Sequence, residues 1–213
     1  MHIPDGILPL PITLGGYVLA VSVTWACLHR INQREDPREG IPKAALLTAA
    51  FFLASLIHIP LPPASVHLVL NGLLGILLGP FAFPAIIIGL FFQAVMFGHG
   101  GLTTLGVNAI ILGGPALAAA ALFSVHTRVN GPSPGKVTAF AFLAGVVAVS
   151  FSVLLFAACL LIGMPAHIDA VVERSALTLL VLSHIPLIVL EGLIVGLVAA
   201  FLFRVRPHLL EGL

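Results

Sequence analysis

Seven apolar runs divide the chain: residues 9–29, 43–59, 64–79, 81–97, 102–125, 137–163 and 174–203. A helix needs about 20 mostly apolar residues to cross a hydrocarbon core, and fewer when its ends are buried in protein. Each run therefore predicts one membrane helix. The third and fourth are short and separated by little more than GPFAFP, which predicts a tight turn. The other breaks, NQREDPREGIP, IPLPP, GHGG, NGPSPG and MPAHID, carry ordinary turn chemistry.

Composition sharpens this picture. Of 213 residues, 60% are hydrophobic and 8% charged, and the mean hydropathy is +1.18. No single soluble core buries that much apolar surface, so the fold class is an all-α polytopic membrane protein. One transmembrane domain, 1–213, is expected, with residues 1–8 as a distinct amino-terminal segment and 30–42 as a loop. The opening lacks the basic flank and small-residue cleavage site of a signal peptide. Cys27 and Cys159 lie inside apolar runs without metal-site or redox spacing. A net charge of +1 gives no argument for nucleic acid.

The placement of charge says more than its sum. Arg30, Arg34, Arg38 and Lys43 follow the first run, Arg128 and Lys136 follow the fifth, and Arg204 and Arg206 follow the last. Seven alternating spans put all of them on one side and only Arg174 on the other. The positive-inside rule then sets the N-terminus outside and the C-terminus in the cytoplasm. MHIPDG, HIPLPPASVH and GHGG, each bearing histidine, converge on the external face.

MHIPDG can chelate. With Met1 retained, its α-amine, the amide nitrogen of His2 and His2 Nδ1 close a five- and a six-membered ring around one ion. Three coplanar nitrogens suit nickel(II) or copper(II), and a further histidine completes a square. Pro4 and Gly6 fold the segment back toward the bundle, leaving Asp5 to cap or hydrogen-bond. His67 sits near the start of the third run with Asn71 four residues on, the helical spacing for one face. Polar groups within a span usually mark a site, and an amide so placed can orient an imidazole. Gln93, His99, Thr103, Thr104 and Asn108 surround the GHGG turn, and His99 reads as support. His58 reads as interfacial. His184 and Glu191 share a helix face, with Glu191 near mid-membrane as a buried anchor. His29, His126, His167 and His208 have no partner set by spacing.

MHIPDG, SVHLVLNGLLGILLG, FGHGGLTTLGVN and HIPLIVLEG occur in an order that resembles the substrate-capture (S) subunits of energy-coupling-factor nickel and cobalt transporters, the CbiM/NikM group. The likeness runs along essentially the whole chain. It implies about seven helices in a bacterial inner membrane and an N-terminal segment inserted into the bundle. It also implies Met1, His2 and His67 as metal ligands with His99 in support, and Asn71, Thr103 and Asn108 are expected to support the same site. Ni(II) or Co(II) is then the transported substrate, with no organic cofactor. The partners it implies are a transmembrane T subunit and two ATPase subunits, and the need for a small accessory membrane subunit stays open. Ala45/Ala49 and Ala50/Ala54 have the small-residue spacing that lets helices approach, as in S-to-T contacts of the family, or within one bundle. No GxxxxGK[ST] or HExxH is encoded, so no ATPase or zincin is expected. Two other readings are a stand-alone metal permease and a bis-histidine haem protein.

Overall fold

The computed structural model describes residues 2–61, 64–128, 133–163 and 170–210. Seven α-helices lie within these residues: α1 Leu10–Asn32, α2 Ile41–Ala54, α3 Asn71–Leu78, α4 Ala82–Phe97, α5 Leu105–Ser124, α6 Pro134–Gly163 and α7 Ala170–Val205. Among the described residues, five segments are long and apolar enough to cross a membrane: α1, the run Asn71–Phe97, Leu105–Thr127, α6 and Leu177–Val205. α2, with 14 residues, is shorter. The chain is a multi-pass membrane protein. Pro11 and Pro42 sit in first turns, where no intrahelical N–H is lost. Pro115 and Pro186 lie inside α5 and α7, where neighbouring helices compensate for the missing bond.

The third apolar run departs from its expected form. Instead of a helix over 64–79, the chain makes a two-stranded hairpin, β1 His58–Leu61 against β2 Ala64–His67, antiparallel with His58 opposite His67. Residues 68–70 follow without regular structure, and helix begins only at Asn71. Leu70 is left-handed at φ 52°, the one described non-glycine residue with positive φ. Non-helical backbone at membrane depth is tolerated only when its polar groups are satisfied by protein. Glu191 of α7 does this. Its carboxylate accepts the N–H of Val69, and both its oxygens accept the N–H of Leu70 at 3.0 Å. The wholly buried acid expected as an anchor is the partner of this irregular entry into α3.

α3 and α4 then form a hairpin through the 3-10 turn Gly79–Phe81. α5 is the hub, packed on α1, α3, α4 and α6, while α6 and α7 lie side by side. A Cβ on Gly72 would stand 2.8 Å from the Cα of Gly145, and one on Gly145 would stand 3.0 Å from the Cα of Gly192. Three bare backbones in a row thus let α3, α6 and α7 close up. Large apolar side chains face outward instead, among them Leu14, Val18, Val21 and Trp25 of α1 and Leu193, Leu197 and Phe201 of α7. Such a surface needs lipid around it.

The two ends of the bundle differ. At one end the Arg34 guanidinium lies 5.9 Å from the centre of the Phe81 ring, and Lys43 Nζ donates to Leu209 O at 2.8 Å. The other end collects the N-terminal segment, β2 and the loop between α4 and α5.

Candidate metal centre

The N-terminal segment is clamped as if it were a strand of the fold. Ile3, fully buried, donates its N–H to Asn108 Oδ1 at 2.9 Å, and Asn108 Nδ2 donates back to Ile3 O at 3.0 Å. The Thr104 hydroxyl donates to the same carbonyl at 2.6 Å. Asp5 continues the attachment. Its carboxylate accepts the Thr103 hydroxyl at 2.6 Å and the N–H groups of Thr103 at 2.8 Å and Leu102 at 3.2 Å. These groups immediately precede α5, so an anion here also meets the positive end of that helix. The Thr103 hydroxyl first, then the backbone N–H groups, hold the Asp5 carboxyl below its usual range. Gly101 makes the contact possible, since a Cβ there would stand 2.0 Å from Asp5 Oδ1.

This clamp sets His2 among two other imidazoles. The rings of His2 and His67 stack with centroids 5.1 Å apart, and His99 stands edge-on to both, at 4.4 Å and 5.0 Å. One nitrogen from each of the three lies within 4.8 Å of the others. His67 Nδ1 is 2.9 Å from Leu68 O. A carbonyl only accepts, so Nδ1 carries the proton and Nε2 presents its lone pair, as a metal-ligating histidine requires. His99 Nε2 lies 2.9 Å from His2 Nδ1. Burial first, then the charge of the amino group, then the nearness of His67 and His99, pushes the His2 imidazole well below the ordinary histidine range. Neutral imidazole is the form that binds a cation.

Met1 lies outside the described residues. His2, His67 and His99 come together, with His99 Nε2 turned toward the His2 ring. Thr103 and Asn108 support the N-terminal segment and not an imidazole. Asn71 does not orient His67: the backbone between them is not helical, and Asn71 Nδ2 donates to Leu112 O at 3.0 Å and Ser152 Oγ at 2.9 Å. It joins α3 to α5 and α6 instead. His184 Nδ1 bonds Leu180 O at 2.7 Å within α7, and His126 Nδ1 bonds Phe123 O at 2.5 Å. His29 pairs with Gln33 at 3.1 Å and stacks on Trp25. The His58 side chain and all of His167 lie outside what is described. Sequence reasoning gave no role to Thr104 and no particular partner to Asp5, although hydroxyl and carboxylate groups beside a helix start are a capping signal. Ala45 and Ala49 line a groove of about 490 Å³ between α2 and α4. Ala50 faces outward and Ala54 is buried, so these two do not form one outward ridge.

Residues 2–209 match the family model described as "CbiM: Cobalt uptake substrate-specific transmembrane region". A Haemophilus influenzae protein that carries a metal-transport description is 35% identical over 212 residues, 99% of this chain and 97% of that one. The fused nickel transport protein NikMN of Rhodobacter capsulatus is 36% identical over 132 residues, 60% of this chain and 38% of that one. The crystal structure of a transition metal transporter shares the fold, with a TM-score of 0.74 at 22% identity, covering 96% of this chain and 93% of that one. These matches leave the haem reading without support. The chain belongs to the CbiM/NikM family of membrane components for cobalt and nickel uptake.

Proposed function

We propose that this chain captures Ni(II) or Co(II) through its own amino terminus, as the substrate-binding component of an ATP-driven energy-coupling-factor transporter. The observation that supports it best is the three-imidazole cluster assembled around a clamped His2. In this reading the Met1 amine, the His2 amide nitrogen and His2 Nδ1 wrap the ion, and His67 Nε2 completes a planar set of four nitrogens. His99 orients His2 through Nδ1 until the ion takes that position. Coplanar nitrogens and a displaced amide proton favour nickel(II) over cobalt(II) on ligand-field grounds. The cluster end faces outside, and the end bearing Arg34 and Lys43 faces the cytoplasm.

Transport needs a T subunit and two ATPases. The nickel transport relative, described as a fusion, extends well beyond the matched region and supports a multi-part assembly. The Ala45–Ala49 groove offers a surface for close helix approach by the T subunit.

The direct test concerns the chain's first residue. One residue added before Met1 should abolish tight Ni(II) and Co(II) binding by isothermal titration calorimetry while leaving the melting curve unchanged. Binding of native strength by the extended chain sinks the chelate.

A further inference from the structure

Gln93 of α4 is buried beside this cluster, and a short chain of hydrogen bonds fixes which way its amide faces. Ser55 Oγ donates to Phe52 O at 2.7 Å, which uses the hydroxyl's single proton. The same oxygen must then accept at its 2.7 Å contact with Gln93, so the Gln93 NH₂ points at Ser55. The amide oxygen is thereby turned away from Ser55. It is buried and has no hydrogen-bond partner among the described residues. His2 Nε2 is also buried and makes no hydrogen bond, to Gln93 or to another described residue, although the Gln93 side chain neighbours that imidazole. One orphan can only accept, and the other is a ring nitrogen that donates when protonated. Leaving both unmade costs the full desolvation of each.

We infer that Gln93 is a positioning residue that selects the tautomer of His2. When the Gln93 oxygen closes onto Nε2, it keeps the proton there and leaves the lone pair on Nδ1. Only Nδ1 can close a six-membered ring with the residue's own amide nitrogen. The 2.9 Å contact of Nδ1 with His99 Nε2 is consistent, with His99 donating. Ser55 and Gln93 thus form an outer layer whose effect is to make the first imidazole a chelating one. This rests on the N-terminal chelate proposed above.

Gln93→Leu should weaken Ni(II) binding by about 10–100-fold, the usual effect of losing such an outer partner. In the same variant, histidine ¹⁵N NMR of the metal-free protein, with His2 assigned from His2→Ala, should show the His2 proton moving from Nε2 to Nδ1. Gln93→Glu, which still accepts, should keep the proton on Nε2. Native affinity in Gln93→Leu, or weaker binding with an unmoved proton, overturns the inference. If Gln93→Leu does not fold, Ser55→Ala replaces it: the amide is freed to turn, so weaker binding with the same proton shift is expected, and native affinity overturns the inference. Tight binding by His2→Ala overturns the chelate itself, and this inference with it. Loss in His2→Ala with Gln93→Leu unaffected overturns only the role of Gln93.

Discussion

A single imidazole at residue 2, with its Nε2 enclosed, makes the site sensitive to protons. The His2 pKa is lowered in the folded chain, so burial favours the neutral ring. Its contribution is intact above the unfolded value near 6.5 and is lost as pH falls below it. The lowered Asp5 carboxyl acts further down: its contribution is present above about 3.8 and lost as pH falls through the folded value. Metal affinity measured from pH 7.5 to 5 should therefore decline, with the docking of Asp5 still intact over that range. Among substitutions, His2→Ala and His67→Ala should each reduce Ni(II) affinity by at least about 100-fold, and equilibrium dialysis would show it. Asn108→Ala removes two bonds to Ile3 and should loosen the segment by about 2 kcal/mol. Its readout is faster hydrogen exchange at Ile3. Not all of this was legible in the sequence. MHIPDG can be read for chelating chemistry because its nitrogen donors are adjacent in the chain. Gln93 and Thr104 cannot be read so, because their partners lie 38 and 101 residues away, and one polar residue in an apolar run names no partner.

At the level of elements, α1, α4, α5, α6 and α7 follow from the apolar runs, because a long run in a membrane admits little besides helix. The third run misleads for a physical reason. A short apolar stretch is equally compatible with strand and helix, and no glycine announces the left-handed turn at Leu70. What the sequence did offer was Glu191, a mid-membrane acid in want of a partner. That partner is backbone, and the pairing predicts an ordering of variants. Glu191→Leu strands the N–H groups of Val69 and Leu70 and should destabilise the fold by about 2–6 kcal/mol, at 1–3 for each orphaned group. Glu191→Gln can still offer one carbonyl oxygen to both N–H groups, as Oε1 does now, and should be much milder. Thermal melts in detergent would rank them. Equal losses in both would show that charge, rather than the acceptor, holds this segment.

On the scale of the whole molecule, the site is joined from parts far apart in the chain: the N-terminal segment, β2 and the turn before α5. The bundle contributes rigidity, with the Gly72–Gly145–Gly192 row pressing three helices together. Gly145→Leu should separate α3 from α7, weaken the Glu191 bonds and lower metal affinity, although the substitution lies outside the cluster. Calorimetry on the purified variant checks it. Cells producing this chain without T and ATPase partners should accumulate no nickel above background, and uptake by the chain alone would favour the permease. The clamp on Ile3 also bears on biogenesis. Ile3 bonds to a residue 105 positions later, and at about 5–20 residues per second its seat is synthesised some 5–20 s after it. For that interval Ile3 and its neighbours wait undocked, so a segment made early is among the last to find its place.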